Sequence, residues 1–138
     1  MTRLAVDASA IIAVLNREAE QQSLSDALID VTAIIGAPTL LEVHIWLRRR
    51  QDRLQASWLD DWLVRETTQV VPFDERLERA AALAYHRFGK GQHRANLNFG
   101  DCMAYAVAKQ ENLPLLFKGG DFGQTFAVIH PASIVLSG

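Results

Sequence analysis

Cysteine is all but missing. Cys102 is the only one in 138 residues, so no internal disulfide can form and the chain suits a reducing compartment such as the cytoplasm. Proline and glycine are sparse, at four and eight. They form no Pro- or Gly-rich tract of the kind that marks a linker, and there is no repeat, so residues 1–138 read as one domain. No apolar run approaches the roughly 18 residues needed to span a bilayer. The opening segment, Met1 to Asp7, lacks a basic stretch leading into a long apolar core, so no signal peptide is expected. An excess of one charge is missing too. Lys and Arg total 14 against 16 Asp and Glu, and a net charge of −2 argues against a general nucleic-acid binder.

What is present is the composition of a soluble globular protein, 49% hydrophobic and 22% charged. Its positive charge is clustered. Arg48, Arg49, Arg50 and Arg53 form one group, and Arg87, Lys90, His93 and Arg94 another. Each group suits either phosphate backbone or a solvated helix face.

Periodicity divides the chain into alternating strands and helices. Leu4 to Val6 reads as a buried strand, followed by helices over 8–16 and 18–30. Val31 to Gly36 is a β-branched strand. An amphipathic helix is expected over 40–53, burying Leu41, Ile45, Trp46 and Leu47, and another over 56–66 carrying Trp58 and Trp62. A strand over 69–73 precedes a helix over 74–88, capped by Asp74 and stopped by Gly89. After a polar loop, a small-residue helix covers 101–112, then a strand over 115–117 and a Lys118-Gly119-Gly120 turn. Short strands are expected over 126–129 and 133–136. Alternation of this kind gives right-handed βαβ units and a mostly parallel sheet, whose ligand site lies beyond the carboxyl ends of the strands.

Asp7, Glu42, Asp101 and Asp121 stand out against that frame, each at or just past an expected helix start. Each also has a local explanation. Asp7 can cap the helix at Ala8, Thr39 and Glu42 have capping-box spacing, Asp101 follows a rival cap in Asn98, and Asp121 can cap a turn at Phe122. If instead they converge, like charges about 4 Å apart repel by roughly 4 kcal/mol at an effective dielectric near 20. A hard divalent ion relieves that repulsion and binds phosphate oxygens as well.

The segments around these acids carry a resemblance. Val6-Asp7-Ala8-Ser9-Ala10-Ile11, Thr39-Leu40-Leu41-Glu42-Val43, Leu97-Asn98-Phe99-Gly100-Asp101-Cys102-Met103-Ala104-Tyr105-Ala106 and Leu115-Leu116-Phe117-Lys118-Gly119-Gly120-Asp121-Phe122 resemble the PIN-domain family, in particular its VapC-type toxins of prokaryotic toxin–antitoxin pairs. The likeness runs over essentially the whole chain. It implies a three-layer α/β/α sandwich around a mostly parallel sheet and an endoribonuclease dependent on Mg²⁺ or Mn²⁺. It also implies a homodimer and a VapB-like antitoxin whose tail blocks the acidic groove. Asp7, Asp101 and Glu42 match the family's metal-holding acids, Asp121 lies in the segment of the fourth acid, and Ser9 matches its small hydroxyl. One departure is plain: related toxins often carry two adjacent acids where this chain has Gly120-Asp121. Ser9, Lys118 and Arg94 are candidate contacts to the RNA substrate or its phosphates.

A receiver domain wants paired acids after its first strand, but Asp7 stands alone. A haloacid-dehalogenase-like phosphatase wants Asp-x-Asp, but position 9 is serine. A PIN-like scaffold that binds RNA or a protein without cutting remains the non-enzymatic alternative.

Overall fold

In the computed structural model, residues 2–19 and 21–136 are described. Strand β1 (Thr2–Val6) leads into helix α1 (Ala8–Leu15) and helix α2 (Gln21–Ala27), and the chain returns as β2 (Val31–Gly36). Helices α3 (Ala37–Arg50) and α4 (Arg53–Leu63) connect β2 to β3 (Thr68–Val71). Helices α5 (Glu75–Phe88) and α6 (Phe99–Glu111) then lead to β4 (Leu115–Leu116). The four strands form one all-parallel sheet in the order β3-β2-β1-β4. A smaller parallel pair follows, β5 (Lys118–Gly119) with β6 (Ile134–Val135), and a 3₁₀ turn over Phe122–Gln124 lies between them.

Strand alternation sends side chains to opposite faces and so builds two cores. Leu4, Val6, Ala33, Ile35 and Leu116 point to one face, where they meet α1 to α4. Ala5, Ile34, Leu115 and Phe117 point to the other, against α5 and α6. This is the expected α/β/α sandwich. The alanine-rich stretch of α6 buries Ala104, Tyr105, Ala106, Val107 and Ala108. It packs so closely that a Cβ placed on Gly36 would lie 3.0 Å from Val107 Cγ2.

The structure corrects several expectations. Helix α3 starts at Ala37 rather than residue 40, with Pro38 in its first turn, where proline's fixed φ suits a helix start. Thr39 therefore lies within the helix, and the expected Thr39–Glu42 capping box does not form. Gly36 is the N-cap, and the buried Thr39 hydroxyl lacks a hydrogen-bond partner. The buried face of α3 is Thr39, Val43 and Leu47. Leu41 and Ile45, expected inside, are exposed. The helix stops at Gln51, which is left-handed (φ 54°), because Asp52 caps α4 by accepting from the Leu54 and Gln55 N–H groups. The 18–30 helix is shorter than expected, and its Glu20 lies outside the described residues. Residues 126–129 contribute only a bridge from Ile129 to Leu115, and the expected turn at Lys118-Gly119 is a strand.

Candidate functional site

Parallel strands put all their carboxyl ends on one edge, and Asp7 follows β1 at that edge. It caps α1, with Oδ2 accepting from Ser9 N at 3.1 Å and from the Ser9 hydroxyl at 2.5 Å. The same hydroxyl accepts from the Lys118 backbone N–H at 3.0 Å, tying the end of β1 to β5. Asp7 is 6% exposed. Burial pushes its carboxyl above the ordinary aspartate range, and the charge of Asp121 pushes the same way. Bonds from Ser9 and the Ala8 N–H pull against them.

Asp101 occupies the third position of α6. It forms a reciprocal capping box, its N–H donating to Asn98 Oδ1 at 2.8 Å and its Oδ2 accepting from Asn98 N at 3.0 Å. Its carboxyl is nonetheless pushed up to about 7, first by burial, and further by the charges of Asp7 and Asp121 and a hydrogen bond with the Asp121 carboxyl. Asp121 leads the 3₁₀ turn without capping it.

Glu42 comes from the second turn of α3. The residue as a whole is exposed, but its carboxyl end rests against Gly100, where a Cβ would lie 2.5 Å from Oε1. A shielded head on an open stem accounts for a carboxyl raised to about 7, by desolvation first and by Asp7 second.

The fold thus brings Asp7, Glu42, Asp101 and Asp121 to one place, each sensing at least one other. Among the described residues, no three His, Cys, Asp or Glu side chains are grouped closely enough to hold a metal ion as they stand. Instead, Asp101 is bonded to Asn98 and Asp7 to Ser9. The other candidates fare differently. The Lys118 ammonium pairs with Glu18 at 2.5 Å, half-buried, which holds the Glu18 carboxyl below its ordinary value. Arg94 is exposed in the loop between α5 and α6. Arg48, Arg49 and Arg50 lie in the last turn of α3, where cations complement the helix dipole, and Arg50 stacks 4.5 Å over Trp46. Cys102 is buried and its thiol is raised to about 11, by burial first and by the Asp101 charge second, so it stays protonated.

Two participants were not singled out from sequence, Gly100 under Glu42 and Glu18 beside Lys118. A glycine inside the first turn of a good helix is a signal that can be read, since helix propensity disfavours it. The Glu18 pairing spans 100 positions and leaves no local trace.

Residues 4–126 match the PIN domain family model. The chain is 40% identical to Ribonuclease VapC of Mycolicibacterium smegmatis over 129 residues, covering 92% of this chain and all of that protein. It is 42% identical to Ribonuclease VapC28 of Mycobacterium tuberculosis over 122 residues, covering 87% of this chain and 92% of that one. Among solved structures, a chain of a toxin–antitoxin complex from Klebsiella pneumoniae superposes with a TM-score of 0.71 at 15% identity, covering 95% of this chain and 99% of that one.

Proposed function

Since the chain belongs to the PIN-domain family, with VapC ribonucleases among its relatives, we propose that it is the toxin of a toxin–antitoxin pair: an endoribonuclease that cuts RNA phosphodiesters and is silenced by a VapB-like antitoxin. We assign it to the cytoplasm, acting as a homodimer. No helix among the described residues is long and apolar enough to cross a membrane.

The observation that carries the chemistry is the gathering of uncompensated acids at the carboxyl edge of the sheet. Asp7, Glu42 and Asp101 all hold protons more tightly than free carboxyls do, because burial and mutual repulsion oppose their ionisation. An oxygen-only donor set under that strain fits a hard divalent ion, Mg²⁺ or Mn²⁺, in place of the protons. Asp7, Glu42 and Asp101 are the residues that would hold it. Bound there, such an ion would supply positive charge to the phosphodiester and lower the pKa of a nearby water. Ser9 fixes the Asp7 carboxylate from one side, and the Asn98 N–H fixes Asp101 from the other. Asp121, whose charge is felt by both Asp7 and Asp101, is assigned to orient water for in-line attack, leaving 5′-phosphate and 3′-hydroxyl ends. Arg94 is assigned to the phosphate backbone; the Lys118 ammonium is engaged by Glu18.

The test is RNA cleavage by purified Asp7→Asn and Asp101→Asn proteins that melt as the unaltered chain does. Both are expected to be inactive, and cleavage by either at the unaltered rate overturns the assignment. The scaffold reading draws on the spacing of the acids, since among the described residues no three such side chains are grouped closely enough to hold an ion. A melting temperature indifferent to millimolar Mn²⁺ decides for it.

A further inference from the structure

Gly100 occupies the second position of α6, between Phe99 and Asp101. Its φ lies outside the left-handed region, so the backbone does not require a glycine there, and alanine is the better helix former. What requires glycine is space. A Cβ at this position would lie 2.5 Å from Glu42 Oε1 and 2.7 Å from both Oε2 and Cδ. Those separations fall well inside the roughly 3.5 Å at which non-bonded heavy atoms rest comfortably. No backbone atom is among these three nearest neighbours. A larger residue therefore leaves α6 intact and moves the head of Glu42.

We propose that Gly100 is a positioning residue: its bare Cα is the floor on which the Glu42 carboxylate rests beside Asp101, and any side chain at 100 dislodges Glu42 from the metal-holding set. This rests on the reading of Glu42 as one of those acids. The sequence spacing then has a physical meaning. The glycine directly before Asp101 serves an acid 58 positions earlier in the chain, on a helix from the other face of the sheet.

The experiment compares Gly100→Ala, Glu42→Asp, the double variant and Glu42→Gln. The readouts are the Mn²⁺-induced rise in melting temperature without RNA, and cleavage of bulk cellular RNA. Gly100→Ala is expected to keep or raise the metal-free melting temperature while losing most of the Mn²⁺-induced rise. Its cleavage should fall by about tenfold to a hundredfold, the cost of a misplacement near 1 Å. Glu42→Asp withdraws the carboxylate by one methylene and should restore part of both signals in the Gly100→Ala background, although it is harmful alone. A Gly100→Ala protein that responds to Mn²⁺ as the unaltered chain does, while Glu42→Gln does not, overturns the role of Gly100 and leaves that of Glu42 standing. A Glu42→Gln protein with the full Mn²⁺ response overturns both. A drop in metal-free stability for Gly100→Ala, with no rescue by Glu42→Asp, assigns the glycine to packing and also overturns the proposal.

Discussion

The Ser9 hydroxyl donates to Asp7 Oδ2 at 2.5 Å while accepting the Lys118 backbone N–H at 3.0 Å, so one small side chain holds the first acid of the site and ties it to β5. The bond favours the ionised form of Asp7, against the burial that raises its pKa. Ser9→Ala removes that support and leaves the Lys118 N–H without its acceptor.

Ser9→Ala is therefore expected to weaken Mn²⁺ binding by about 10- to 100-fold, the usual cost of losing a partner that orients a ligand. The loss should grow as pH falls, because Asp7 then holds its proton more firmly. Stability should drop by about 1 kcal/mol for the lost hydrogen bonds. Ser9→Thr keeps the hydroxyl and should behave nearly as serine does. Isothermal titration at two pH values reads the affinities and a denaturant melt reads the stability, and equal affinities for Ser9→Ala and the unaltered chain would remove Ser9 from the site.

The raised acids also fix how metal-free stability depends on pH. The Glu42 carboxyl goes from 4.5 to about 7 on folding, and that of Asp101 from 3.8 to about 7. Between those limits the folded chain binds more protons than the unfolded chain, so stability falls as pH rises. The contribution is complete below about pH 4 and gone above about pH 7. Melting temperature without metal should decline from these two groups across that window. Asp101→Asn, which cannot ionise, should flatten the decline, and saturating Mn²⁺ should reverse it. A metal-free profile that rises from pH 5 to pH 7, and rises as steeply in Asp101→Asn, would contradict these shifts.

The strands and their faces were legible because a parallel sheet buried on both sides writes continuous apolar runs, as in Leu4 to Val6 and Val31 to Gly36. Asp7, Asp101 and Asp121 were legible because each sits at a helix start or a strand end; Glu42, expected just past a helix start, lies in the second turn of α3. The inward face of α3 was not. Leu41 and Ile45 look like core, but placing Ala37 and Pro38 in the first turn sets the rotation of the helix and turns Thr39, Val43 and Leu47 inward. Nor can single-residue patterns show that two distant groups need the same space. The approach of Glu42 to Gly100 depends on how α3 and α6 come together, which no local rule encodes.

Asp101 has two jobs that separate cleanly. Its Oδ2 accepts the Asn98 N–H in the capping box, while its charge belongs to the acid cluster. Asp101→Asn keeps a carbonyl oxygen for the cap and removes the charge, so it should fold as well as the unaltered chain and fail to cleave. Asp101→Ala removes both, and should also fail while losing about 1 kcal/mol of stability, the usual worth of a cap. Denaturant midpoints measured beside cleavage rates test the split. Equal midpoints for the two variants would mean that the cap contributes nothing to α6.

Lys118 offers a different separation, between its backbone N–H and its ammonium. Its N–H holds Ser9, and its ammonium pairs with Glu18, both residues being about a quarter exposed. Lys118→Met keeps the backbone bond and breaks the pair, leaving Glu18 without the cation that lowers its pKa. Such partly exposed pairs contribute at most about 1 kcal/mol, so the expected result is a small stability loss with nearly unchanged cleavage. The loss should shrink as pH falls through the Glu18 titration, since a depressed carboxylate contributes above its unfolded pKa and not below its folded one. If instead the variant keeps its stability but shows a raised KM with unchanged kcat and a shallower salt dependence, the ammonium leaves Glu18 to meet RNA phosphate, and Lys118 joins Arg94 in holding the strand.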